Sequence, residues 1–251
     1  VERGSAQLIL GNHEYNAVGY FTPSAREDKG YLHERNARHQ RLMQETLDQY
    51  ANHSVEWRDT LEWFSGLPMF LQFDHFRAVH ACWDGKLIDE YNHRYDSPNL
   101  NQEFLLQSDD RASFATRFLS RITRGVSLRL PAGQEMTSTD GFRRRMFRAK
   151  FWVEKPDTYG DIEFQPDALP DALAKQMLSG EERNHLGYYC RDQRPLFVGH
   201  YWQRGKPSPM ARNIACLDYS AVKGGQLVAY RMDNETQLSA DKFVSVQGLS
   251  N

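Results

Sequence analysis

Leu8-Ile9-Leu10-Gly11-Asn12-His13-Glu14 decides how the chain is read. Three aliphatic residues run into a glycine and then into three polar side chains. The stretch therefore predicts a buried strand, residues 7–10, that stops abruptly at a polar cluster. In open α/β sheets, ligand sites lie just beyond the carboxyl ends of strands. Gly11 lets the backbone leave the sheet tightly, the Asn12 amide oxygen can ligate a metal, and the His13 ring can carry a proton. A strand followed by an ordinary polar turn explains the same residues, and on this stretch alone it is the better reading. Two later stretches reverse the balance. Val79-His80 and Val198-Gly199-His200 also carry a histidine where an aliphatic run stops.

The 251 residues suffice for one domain with a substantial core, and 40% apolar with 25% charged residues is a globular balance. A net charge of −2 supplies no basic field, so neither nucleic acid nor a membrane is expected as a partner. No apolar run reaches membrane-spanning length. Cys82, Cys190 and Cys216 are odd in number and far apart, which argues against a zinc knuckle or a disulfide framework and for a reducing cytoplasm. Residues 1–6 read as the frayed end of a helix with Gly4 as its C-cap, so further residues are expected upstream in the natural protein.

Working outward, residues 15–30 read as a loop and 31–51 as an amphipathic helix, with His33 and His39 as solvated histidines on its polar side. A second helix is predicted over 55–65 and a hairpin over 69–79. A short helix begins at Leu87, a long one spans 102–123, and turns fall at 130–133 and 138–141. Residues 142–154 alternate as a strand whose start is basic. A short helix over 171–179 is stopped by Gly180. Strands follow at 195–198, 213–217, 227–231 and 242–247, with Lys223-Gly224-Gly225 as a hairpin turn.

Strand ends converge in space although they are far apart in sequence. Asn12, His80 and His200 would then form a partial shell for a first-row divalent metal. The set carries no negative charge, so carboxylates must come from elsewhere.

These blocks resemble the calcineurin-like metallophosphoesterases, in the branch holding the serine/threonine phosphoprotein phosphatases and the bacterial diadenosine tetraphosphatase-like enzymes. Gly11-Asn12-His13-Glu14, Val79-His80-Ala81 and Gly199-His200 are similar to three of that family's blocks, in the family's order. Asn213 to Asp218 with Gly224 to Leu227 is similar to its closing strand, turn and strand. The likeness covers residues 1–84 and 195–231. It implies a two-sheet α/β sandwich flanked by helices, lacking its first strands, within a single domain over 1–251. Residues 85–194 would be a cap-like insertion of helices and a hairpin. It also implies two divalent metal ions, manganese first, with iron, zinc or magnesium as alternatives. Asn12, His80 and His200 would hold the second ion, and His13 would act as general acid toward the leaving oxygen. The substrate would be a phosphorylated small molecule, a dinucleotide polyphosphate or a phosphoprotein.

The family's two earliest blocks, GDxHG and GDxxDRG, are not in these 251 residues. They would supply the other metal ligands and a phosphate-binding arginine. The last block reads Gly199-His200-Tyr201-Trp202 rather than GHxH, which leans away from phosphodiesterases. A cyclic-nucleotide or nucleic-acid phosphodiesterase and a degenerate binding module are the alternatives. Tyr201 and Trp202 could line the mouth of the site, with buried packing at least as good a reading. Arg143, Arg144, Arg145, Arg148 and Lys150 could rim it, although a solvated strand face is somewhat favoured. Glu14 is expected to bond backbone at its turn, Asp84 to cap a helix, and Asp218 to brace the final hairpin.

Overall fold

The first helix begins inside the diagnostic stretch. The computed structural model describes residues 1, 3–137, 143–164 and 168–248. In it α1 (Asn12–Phe21) starts directly after Gly11, where a loop was expected. Residues 7–10 form no paired strand. Leu10 N links them toward the sheet region by donating to Pro68 O at 2.8 Å, and Leu10 is fully buried. Gly19 is tolerated in α1 because a Cβ there would stand 2.6 Å from the His33 ring. That ring is partly buried, with its Nδ1 enclosed and unpartnered, so His33 is not a solvated histidine. α2 (Ala37–Gln49) begins later than its periodicity predicts. Leu32 N and His33 N are taken by Thr22 O and Gly19 O, and Asn36 caps the helix by accepting from His39 N. α3 (Ser54–Ser65) runs as expected and ends at Gly66.

β1 (Phe70–Gln72) and β2 (Arg77–Val79) form the predicted hairpin. α4 (Gly85–Asn92) is capped by Asp84, whose carboxylate accepts from Leu87 N at 3.3 Å. The expected 102–123 helix is two helices, α5 (Gln102–Gln107) and α6 (Phe114–Arg124). Ser113 starts the second by accepting from Thr116 N, and the Thr116 hydroxyl bonds back to the carbonyls of Ser108 and Asp110. β3 (Val126–Arg129), β4 (Met136–Thr137), β5 (Arg143–Arg144) and β6 (Met146–Ala149) make two short antiparallel pairs, β3 with β6 and β4 with β5. The turn expected at 138–141 lies outside the described residues. α7 (Tyr159–Ile162), α8 (Asp171–Ala174) and α9 (Gly180–His185) follow. Gly180 is the first residue of α9 rather than a stop, because Ser179 and Glu182 form a capping box around it.

β7 (Leu196–Val198) and β8 (Ile214–Cys216) join the hairpin in a four-stranded sheet ordered β1-β2-β7-β8. The β2–β7 and β7–β8 pairs are parallel. β9 (Asp218–Tyr219), β10 (Gln226–Tyr230) and β11 (Phe243–Gln247) make a three-stranded antiparallel sheet, ordered β11-β10-β9. The architecture is mixed α/β, with helices around several small sheets.

The core does not separate residues 85–194 from the rest. Phe70 of β1 packs ring to ring with Tyr91 and Phe118, and Tyr91 with Phe104. Ala81 N donates to Ile122 O. The helices of the expected cap therefore build the sheet's own core, and β5 and β6 reach the cleft described below through Arg144 and Arg148. Cys82, Cys190 and Cys216 are all free. Among the described residues no helix is long and apolar enough to cross a membrane.

Candidate functional site

Parallel pairing brings the histidines together. β2 and β7 are parallel neighbours, so their carboxyl ends lie side by side, and Gly199 N donates to His80 O at 2.9 Å. β1 runs antiparallel to β2, so residues just before β1 sit at that same edge. The bond from Leu10 N to Pro68 O therefore delivers Gly11 and Asn12 there. A Cβ on Gly11 would lie 2.5 Å from Glu14 Oε2 and 3.1 Å from His80 Nδ1, so glycine lets the His80 ring pack against the start of α1. Glu14 Oε2 accepts from Gly11 N at 3.0 Å, the backbone role expected of it.

Asn12 Oδ1 stands 2.7 Å from His80 Nε2 and 3.3 Å from His200 Nδ1, and the two rings meet edge to face at 5.4 Å. Burial pushes the His80 imidazole down to about 4, with His13 and Arg148 acting the same way and Asp218 against them. Burial, then Arg148 and His80, pushes His200 down to about 2. Both rings are therefore neutral lone-pair donors near pH 7. His200 is also held at φ +57°, a left-handed conformation uncommon outside glycine. Strain of this kind collects at functional sites.

These three residues sit in a cleft of about 910 Å³, which His13, Arg144, Arg148, Trp202, Arg204, Asp218 and Lys223 also line. His13 is the second residue of α1 and is exposed. The positive end of the α1 dipole faces the same space. Arg124, at the end of α6, donates to Asn16 Oδ1 at 2.7 Å, one helical turn from Asn12.

Two expected substrate contacts lie elsewhere. Tyr201 is fully buried: its hydroxyl accepts from Val126 N at 2.9 Å and donates to Ala149 O at 3.2 Å. Its ring packs on Phe151, Trp152 and Phe164, so it closes the core beneath the site. Arg143 is exposed and leans on Glu135 at 3.8 Å, outside the cleft. Arg144 and Arg148 of the same basic run take the cleft positions. Asp218 is the residue that sequence reasoning undervalued. It does brace its turn, accepting from Ser220 N at 3.0 Å. It also lies two residues beyond a parallel strand, as His200 does, and that spacing was the available signal.

The donor set fits part of one cation's shell. Bonds near 2.1 Å put adjacent ligand atoms roughly 3 Å apart, and the spacings of 2.7 and 3.3 Å bracket that. Two lone pairs this close repel unless a cation, or a proton on His80 Nε2, lies between them. Among the described residues no group of three His, Cys, Asp or Glu side chains gathers. Asn12, His80 and His200 offer three donors to one cation. No protein-family model matches the chain, and no curated protein does.

Proposed function

We propose that this protein is a metallophosphoesterase of the calcineurin-like type, hydrolysing phosphate esters or anhydrides with divalent cations, manganese first. The convergence of Asn12, His80 and His200 on one point, with His13 beside it, carries this reading. Under it, the four- and three-stranded sheets belong to the two layers of a sandwich, and the cytoplasm is its compartment. Asn12, His80 and His200 would hold one ion. Asp218 and carboxylates beyond this set would supply the negative charge a hard cation needs. Bound cations neutralise phosphate charge and lower the pKa of an attacking water.

The chain's own part is then positional and protic. Among the described residues, Arg144, Arg148, Arg204 and Lys223 bring four cationic side chains to the cleft against the one carboxylate of Asp218, which suits a phosphate. The water oxygen would form its bond to phosphorus as the bond from phosphorus to the ester oxygen breaks, the water's second proton passing to solvent, and the His13 ring would give a proton to the leaving oxygen. A phosphorylated small molecule, a dinucleotide polyphosphate or a phosphoprotein are the substrates this admits.

Hydrolysis of p-nitrophenyl phosphate with added Mn²⁺ tests the reading. It should be lost in both His13→Ala and Asn12→Ala; unchanged turnover in both refutes the assignment. A second reading, a binding module without catalysis, rests on the donor set Asn12, His80 and His200 carrying no negative charge of its own. Manganese binding by a chain that turns over no phosphate ester would establish it.

A further inference from the structure

The cleft has a cation tied directly to one of its three metal-competent donors. Arg148 lies on β6, opposite Ser127 of β3. Its neighbours Phe147 and Ala149 are buried, so strand alternation turns Arg148 to the other face, where it is half-buried and lines the cleft. Its Nη1 donates to the carbonyl of His200 at 3.1 Å. Its guanidinium stands 5.9 Å from the ring centres of both Phe164 and Tyr201. The guanidinium is thus held by the His200 carbonyl and stands beside two rings at the edge of the cleft. A guanidinium fixed in a partly desolvated site needs little reorganisation when an anion arrives.

We infer that Arg148 determines specificity in this cleft, gripping the non-bridging oxygens of a terminal phosphate and selecting a doubly charged phosphomonoester over a singly charged phosphodiester. This rests on the phosphoesterase reading above. A phosphomonoester carries close to two charges at neutral pH because its second pKa is near 6, whereas a diester carries one. The fixed positive charge attracts the first more strongly, and the planar fork matches two phosphate oxygens at once. The residue that decides the substrate's charge comes from the β3–β6 pair, not from the strand ends that hold the histidines.

The other role the geometry allows is bracing His200 through its carbonyl, and the test separates the two. Arg148→Met keeps an unbranched stem of similar length and removes the charge. The monoester p-nitrophenyl phosphate should lose kcat/KM by on the order of a hundredfold. The diester bis-p-nitrophenyl phosphate should lose about tenfold or less, so that selectivity falls by about tenfold or more. Equal losses on both substrates would show a brace and overturn the inference, as would no loss on either. Arg148→Lys should move selectivity less than Arg148→Met does. If the wild-type chain hydrolyses neither substrate, the phosphoesterase reading has failed, and binding decides the rest. Inorganic phosphate, titrated calorimetrically into the whole chain, should then bind Arg148→Met at least about tenfold more weakly, and equal affinity would overturn the inference.

Discussion

Asn12 Oδ1 and His80 Nε2 are 2.7 Å apart although 68 positions separate the residues. If a cation shares them, its affinity is limited by a donor set with no charge. Asn12→Asp should then raise Mn²⁺ affinity by about tenfold in calorimetric titration, because a carboxylate replaces an amide at the same reach. If instead the pair is a plain hydrogen bond, Mn²⁺ affinity stays as it was. The new carboxylate would then favour a protonated His80, seen as a higher ring pKa by NMR.

His200 pays for its position in backbone conformation. At φ +57° a side chain costs roughly 1 kcal/mol that glycine does not incur. His200→Gly should therefore be about 1 kcal/mol more stable than His200→Ala in urea unfolding, while both lose the ligand. Equal stabilities would mean the left-handed turn relaxes once the ring is gone.

Tyr201→Phe tests whether the tyrosine belongs to the core or to the cleft. The change strands a buried donor, the Val126 amide, and should destabilise by about 1–3 kcal/mol. KM for p-nitrophenyl phosphate should stay within about twofold, since the hydroxyl does not reach the cleft. A large rise in KM with unchanged stability would restore the substrate-binding role expected from sequence.

Acid should unfold the protein partly through His33. Burial first, then Arg124 and His39, lowers its pKa from 6.5 to about 4. The unfolded chain takes up this proton as pH falls through 6.5, whereas the folded chain resists until about 4. The stabilisation is thus complete above 6.5 and drains away between 6.5 and 4. His80 and His200 act in the same direction, His200 over a window reaching down to about 2. His33→Phe, a ring that takes no proton, should flatten the loss between pH 7 and pH 4.5 by about 2 kcal/mol in urea titrations. An unchanged slope would place the His33 ring in solvent.

What sequence reading recovered depended on how local its cause is. The hairpin at 69–79 and the strand at 195–198 were legible because aliphatic runs between turn residues need no distant partner to be recognised. The Asp84 cap was legible for the same reason. The start of α1 was not, because its cause is remote: Gly19 looks like a loop residue until the His33 ring is seen against it. Leu8 to Leu10 looked like a strand since burial of Leu10 and a ladder leave the same aliphatic signature. The meeting of Asn12, His80 and His200 could be anticipated from strand ends, and the structure brings them together. That Arg148 faces away from Phe147 and Ala149 was legible from alternation, but that its face lines the cleft was not, because the meeting of β6 with the strand ends is a tertiary contact.

Gly199, His200 and Tyr201 are consecutive, yet they serve three different neighbours. Gly199 holds the His80 carbonyl, the His200 ring meets Asn12, and the Tyr201 hydroxyl holds the Val126 amide. A ligand that steadies the His200 ring must therefore steady a peptide proton on the far side of the same turn. Deuterium uptake at Val126 should slow when the cleft fills, which makes that amide a readout of occupancy at a site it never touches.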